Sequence, residues 1–249
     1  MADIVYCEWL KLRRSKILLI GVLGSLMVPF LVAANDIRIA AAKPEAFLSL
    51  YGLYEDTILF IMLLFGPLVL AVVATWLINR EYTERTLKTI FVLPMERTAF
   101  LLGKFIMLFL LICLFMLLSW LDILVIALVC RLFLGGQAVT VSQAAAVLIQ
   151  MQKGAILMFM TLTPFVYLAL RTQGSIAPFI VIAAVSLLNV VLSASPIACF
   201  YPWTAAYLLQ TGRYAQTGCP MVLGVLLLLG VCGFGICAAV RRFRREDIV

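Results

Sequence analysis

Six apolar runs, each near the length an α-helix needs to cross a bilayer, dominate this sequence; they occupy 17–34, 58–78, 106–129, 144–170, 176–195 and 221–240. A helix rises 1.5 Å per residue, so about 20 residues span roughly 30 Å of hydrocarbon. Apolar residues make up 65% of the 249 positions, against roughly 45 to 50% in ordinary globular chains. That excess excludes a soluble domain. The reading is an all-α membrane protein, one transmembrane domain over 1–249 with six transmembrane helices.

Composition then removes most chemistry. The sequence holds no histidine, which excludes His-ligated zinc, a Ser-His-Asp triad and an imidazole proton relay. Its seven cysteines form no C-x-x-C pair, and most fall inside apolar runs, where a thiol behaves as a small hydrophobe. No metal site is expected. Cys199 and Cys219 are the exception, because they share one loop between spans and an oxidising compartment would allow a disulfide there. No phosphate-binding loop occurs: Gly103-Lys104 is followed by Phe105 and lacks the upstream glycine. The chain is not expected to be an enzyme or to hold a cofactor, and any ATP with its Mg would belong to a partner ATPase. No cleavable signal stands at the N-terminus, since the first apolar run follows a basic segment and lacks a small-residue cleavage site.

Orientation follows from the basic residues, because Lys and Arg in short loops resist translocation. Fourteen of the nineteen lie in segment 1–16, the loop after the second run, the turn at Arg171 and the tail Arg241 to Arg245. Only Arg38, Lys43, Arg131 and Arg213 fall on the other side, and Lys153 lies inside the fourth run. Both termini are therefore predicted cytoplasmic in a multi-pass cell (plasma) membrane protein. The net charge of +7 is accounted for by topology and by attraction to anionic headgroups, so no nucleic acid partner is expected.

Segment 1–16 is too short to cross the bilayer. Val5, Trp9 and Leu12 share one helical face, with Asp3, Lys11 and Arg14 away from it, which predicts an interfacial helix. The longest cytoplasmic connection, 79–104, alternates charged and apolar blocks. Glu81 with Arg85 and Glu84 with Lys88 are four apart with the acid first, the favourable order on a helix. A short surface helix is predicted, ended by Pro94. Its face of Leu87, Ile90 and Phe91 is too apolar to stay in water and must meet lipid headgroups or a protein groove.

Polar residues inside the runs are costly and informative. Asp122 in the third run must face protein, water or a headgroup layer, since a central acid costs about 2.5 to 3.5 kcal/mol. Gln150, Gln152 and Lys153 in the fourth run raise the same question, and Lys153 is a conceivable partner for Asp122. Pro164 and Pro178 are expected to kink the fourth and fifth spans. The extracytoplasmic loop 196–219 carries Phe200, Tyr201, Trp203, Tyr207 and Tyr214, as expected of a re-entrant or interfacial segment.

The loop also carries a resemblance. Glu81, Thr86, Leu87 and Lys88 fit E-x-x-x-x-T-L-K, followed by an apolar stretch, Pro94, and R-x-x-F-L-L-G-K at Arg97, Phe100, Leu101, Leu102, Gly103 and Lys104. This pattern is similar to the cytoplasmic loop of ABC-2 type transporter permeases. Glu84-Arg85, the opening Glu8 to Lys16 and Tyr201-Pro202-Trp203 resemble the bacitracin-resistance and lantibiotic-immunity branch. The resemblance implies a permease that pairs with a second permease subunit, as homo- or heterodimer, and with ABC ATPase subunits in a bacterial membrane. It implies that Glu81, Tyr82, Thr83, Glu84, Arg85, Thr86, Leu87 and Lys88 form a coupling helix; apart from it, the acid Asp122 and the loop aromatics Tyr201 and Trp203 are candidates for the path of an amphipathic peptide substrate, against structural hydrogen bonding and headgroup anchoring. The rival reading is an ion-coupled secondary transporter using Asp122 and Lys153.

Overall fold

The structure, a computed structural model, describes residues 2–13, 15–42, 49–83, 97–134, 139–172 and 177–245. Among them there is helix and connecting turn and no strand. In chain order the helices are α1 (Ala2–Arg13), α2 (Lys16–Ala42), α3 (Leu50–Phe60), α4 (Gly66–Thr83), α5 (Arg97–Leu134), α6 (Val141–Thr172), α7 (Ala177–Ser193), α8 (Pro202–Thr211) and α9 (Met221–Arg244). A π-helical segment, Ile61–Phe65, joins α3 to α4 without a break, and 3-10 turns Pro196–Phe200 and Arg213–Thr217 flank α8.

Five helical stretches are long and apolar enough to cross a membrane: Lys16–Ile39, Leu50–Tyr82, Thr98–Phe133, Val141–Thr172 and Met221–Arg244. The fifth of the six runs forms α7, whose 17 residues reach only about 26 Å. Helix α6 is axial and packs against α9, α5 and α4. Its buried stripe Val147, Met151, Ala155, Met158, Leu162 and Val166 repeats every fourth or third residue, as one helical face must.

Small α1 is a helix, as its sequence predicts, and of its expected face Leu12 and Val5 turn to the bundle but Trp9 does not. Glu8 and Leu12 are buried and Ile4 and Val5 partly so, whereas Trp9 is 38% exposed. A polar contact, described below, selects this face over the purely apolar stripe. Phe100 of α5 stacks on Phe243 near the end of α9, with ring centroids 6.2 Å apart, so the start of α5 and the end of α9 meet at one end of the bundle.

Prolines inside the helices each withdraw a backbone donor from the carbonyl four residues earlier, and here side chains replace them. Pro29 frees the Ser25 carbonyl, and Ser119 Oγ of α5 donates to it at 2.8 Å. Pro67 frees the Leu63 carbonyl, and Asn189 Nδ2 of α7 donates to it at 3.0 Å and to the Met62 carbonyl at 3.4 Å. Pro164 frees the Met160 carbonyl, which accepts from Thr163 Oγ1 at 3.1 Å. Pro178 departs from expectation: it is the second residue of α7, where an amide has no intrahelical partner to lose, so it kinks nothing. The π segment also needs Gly66, whose amide donates to the Ile61 carbonyl, because a Cβ there would lie 2.3 Å from that oxygen.

Two contacts set the register of α5 against α6. Trp120 Nε1 donates to the Ala144 carbonyl at 3.0 Å, and Gln152 Nε2 to the Cys113 carbonyl at 3.4 Å. Both imply the same antiparallel pairing, in which Asp122 is level with Ser142 while Lys153 lies 11 residues further along α6, about 16 Å down the axis.

The Ser119 bond yields a prediction for a double-mutant cycle. Ser119→Ala is expected to cost about 1 kcal/mol of folding stability, read as unfolding in micelles. In a Pro29→Ala background the amide of residue 29 serves the Ser25 carbonyl, and the cost of losing Ser119 should fall to near zero. Equal costs in both backgrounds would remove the proline explanation.

Candidate functional site

The loop motif of Glu81 to Lys104 begins in the last turn of α4 and ends in the first turns of α5, and the structure joins these two flanks through α1. Glu8 and Lys11 lie one turn apart on α1, Glu81 in the last turn of α4, and Lys104 two turns into α5. Lys11 Nζ is 2.8 Å from Glu81 Oε1 and 3.3 Å from Glu8 Oε1. Lys104 Nζ is 3.3 Å from both Glu8 Oε2 and Glu81 Oε1 and donates to the Leu77 carbonyl at 2.9 Å. Glu8, Glu81 and Lys104 are each no more than 3% exposed.

Four charges of alternating sign sum to zero, which is the condition for keeping them out of water: an isolated buried ion costs several kcal/mol, and attraction repays this only with good geometry and satisfied hydrogen bonds. Lys104 meets that condition most fully, with two carboxylates, one carbonyl and the face of Phe100, whose centroid is 4.9 Å from Nζ. Arg80 adds a bond from Nη1 to the Lys11 carbonyl at 3.1 Å and rests 5.2 Å from the centroid of Trp76. Close approach of α1 needs a residue without a side chain on α5, since a Cβ at Gly103 would be 2.6 Å from Ile4 Cγ2.

The half-buried Lys11 shows how the knot acts on protonation. Burial pulls its pKa down, but the bond to Glu81 and the fields of Glu8 and Glu81 outweigh that and leave it raised above the ordinary lysine value.

Of the residues expected in the coupling helix, Glu81 and Tyr82 lie in the last turn of α4 and Thr83 ends it. Glu84, Arg85, Thr86, Leu87 and Lys88 lie outside the described residues. Glu81, read from sequence as lying on a surface helix, is buried between Lys11 and Lys104; its expected partner Arg85 lies outside the described residues.

Lys153 and Asp122 do not pair. Lys153 Nζ donates to the Leu209 carbonyl at 2.8 Å, capping the C-terminal end of α8 where a cation is favoured. Asp122 Oδ2 is buried with no hydrogen-bond partner among the described residues. The ion-coupled reading loses its acid–base couple to the 16 Å offset set by the α5–α6 register. The fourth run's other amide site has the same purpose as Lys153: Gln210 of α8 donates to the Gln150 carbonyl and, at 3.0 Å, to Tyr54 Oη of α3. Thr204 through Gln210 are all buried, so the aromatic loop 196–219 does turn back into protein.

Tyr201 and Trp203 stand together, ring centroids 5.2 Å apart, with Trp203 5.7 Å from Phe165 of α6; Tyr201 Oη donates to the Val185 carbonyl at 3.3 Å. Neither bonds Asp122. The thiols of Cys199 and Cys219 meet, with 2.7 Å between sulfurs, and Tyr214 Oη donates to the Cys199 carbonyl at 3.0 Å. Glu8, Lys11 and Lys104 were missed as site residues. The available signal was a set of charges interrupting apolar periodicity on both flanks of the loop.

A bundle of long apolar helices, with a charged knot where loop 84–96 is rooted, fits the membrane subunit of a transporter. The chain belongs to the ABC-2 transporter family: the family described as ABC-2 family transporter protein matches residues 4–191, from α1 through most of α7. Among individual proteins, it is similar to the bacitracin transport permease protein BCRB of Bacillus licheniformis, 24% identical over 210 residues that cover 84% of this chain and 98% of that protein.

Two outcomes test the knot. Lys104→Met strands two buried carboxylates and should cost about 3 to 5 kcal/mol, while adding Glu81→Gln should restore part of that; thermal unfolding of the purified variants measures both. Lys11 has its pKa raised on folding, so its contribution is present below the ordinary lysine pKa and is lost as pH rises through the raised value. Docking of α1 should therefore hold at neutral pH and loosen only in strong alkali, as read from protease susceptibility near residue 14.

Proposed function

We propose that this chain is the membrane subunit of an ATP-driven exporter that confers resistance or immunity to an antimicrobial peptide of the bacitracin or lantibiotic kind by removing it from the membrane. The observation that carries the reading is the knot of Glu8, Lys11, Glu81 and Lys104, which fastens both flanks of loop 84–96 to one another and to α1. A push on that loop then moves α1, α4 and α5 as a unit instead of being lost in local bending. ATP and Mg act in the partner ATPase, and this chain supplies no hydrolytic group. With both termini in the cytoplasm, the basic helix ends face the ATPase and the loop 196–219 faces outward.

Switching between two states requires that the ATPase bind one of them better, and the loop is where that preference is applied. Glu84, Arg85, Leu87 and Lys88 are the residues proposed to meet the ATPase, with a second permease completing the assembly. Similarity to the bacitracin permease supports the peptide cargo. Outside, the meeting of Cys199 and Cys219 supports a disulfide: the two thiols lose two protons and two electrons to an extracytoplasmic thiol oxidant.

The tagged chain purified from its own cells should retain an ABC ATPase, and Leu87→Asp should cut that retention by about tenfold, a loss of about 1.4 kcal/mol, with the permease still in the membrane. Cells lacking the chain should become more susceptible to bacitracin or a lantibiotic. An ATPase retained equally by Leu87→Asp, or unchanged susceptibility to every peptide tested, counts against the proposal. Intact mass of the non-reduced protein, lighter by two hydrogens than the reduced form, reports the disulfide, and equal masses reject it.

A further inference from the structure

The end of the bundle opposite the knot holds a cleft whose lining is divided by depth. Its volume is about 400 Å³, and it opens between α2 and the stretch from α3 into the π segment. Leu31, Phe60 and Phe65 form its walls, and Asn35, Asp36 and Asp56 stand at one end of it. The volume lies within the range of roughly 300 to 1,000 Å³ typical of small-ligand pockets.

Height in the bilayer gives this division a meaning. Asp36 is 20 residues beyond Lys16 on one continuous helix, which is about 30 Å, one hydrocarbon thickness. Its carboxylate therefore lies at the headgroup layer of the far leaflet, and Leu31 lies below it in hydrocarbon. An amphipathic molecule resting in that leaflet has the same order, polar group at the interface and apolar body beneath.

Charge fixes the sign of the ligand. Among the described residues, no Lys or Arg forms an ion pair with Asp36 or Asp56. Two arginines adjacent in sequence or through Glu55 are otherwise engaged: Arg38 donates to Asn35 Oδ1 at 3.3 Å, and Arg213 pairs with Glu55 at 3.6 Å. Two uncompensated carboxylates beside an apolar slot favour a cation and repel an anion. The backbone adds an independent sign, because Phe65 closes the π segment Ile61–Phe65, and such segments occur frequently at functional sites.

We infer that the cleft between α2 and α3 binds an amphipathic cation from the outer leaflet, its positive group between Asp36 and Asp56 and its apolar part against Leu31, Phe60 and Phe65. This deepens the exporter reading by giving the cargo a charge and a point of entry, and it rests on that reading for the cleft's role in transport and for which leaflet is the outer one.

Tetraphenylphosphonium and tetraphenylborate, ions of nearly equal shape and opposite charge, test the inference on the purified full chain. The cation should bind saturably and the anion weakly or not at all. Asp36→Asn with Asp56→Asn should weaken cation binding about tenfold, and Leu31→Trp, which fills the slot, should do the same with both carboxylates intact. Equal binding of the two ions, or cation binding indifferent to both variants, overturns the inference. So does a cross-link from position 31 to a second copy of the chain or to a co-purified phospholipid that the cation does not displace. Binding needs neither nucleotide nor ATPase, so a chain that binds the cation but retains no ATPase would sink the exporter reading and leave the site standing.

Discussion

Hydrocarbon offers no hydrogen bonds, so a backbone carbonyl that loses its helical donor inside this bundle is stabilised by a donor from protein. That constraint explains why side chains as different as Ser119, Asn189 and Thr163 do the same thing. Each serves the carbonyl that a proline has left without a donor. Two of the three reach across to another helix, so repairing the backbone also sets how α2 meets α5 and how the π segment meets α7. Lys153 follows the same rule at the end of α8, where it serves the Leu209 carbonyl, and Gln210 of α8 in turn donates to the Gln150 carbonyl of α6.

The charged knot is the same constraint applied to ions. Glu8, Lys11, Glu81 and Lys104 are tolerable out of water because they cancel and because Lys104 fills its donor positions. A replacement by packed apolar residues would serve stability as well or better. What the ions add is that contact is all-or-none: removing one strands the others. Three segments from distant parts of the sequence are thereby joined, at the place where, on the proposed function, force from a partner would arrive.

Much of the fold was legible because its cause is one-dimensional. Twenty apolar residues in succession have few alternatives to a spanning helix, and the six runs reappear as helices close to their expected positions. The extensions were not legible: α5 continues to Leu134 and α2 to Ala42, since helical hydrogen bonds need no apolar side chain to continue into the interface. The face of α1 was legible only in part: Val5 and Leu12 meet the bundle as expected, but Trp9 does not, because Glu8 finds Lys104 and turns α1 accordingly. The buried position of Glu81 and the separation of Asp122 from Lys153 depend on register between helices, which no single run encodes. Cys199 and Cys219 were singled out from sequence as possible partners, but their contact rests on how α8 folds back.

The account depends most on α1 and α5 moving together. A Cβ at position 103 would lie 3.4 Å from Ile4 Cβ, close to the roughly 3.5 to 4.5 Å between Cβ atoms in disulfides. Ile4→Cys with Gly103→Cys, in a chain freed of its other cysteines, allows the two helices to be locked by oxidation and released by reduction. With its ATPase present in proteoliposomes, the locked protein should clear peptide from the membrane at the same rate as the released one. Clearance that stops on locking and returns on reduction would show that α1 must part from α5 during the cycle, and the rigid-unit account would be wrong.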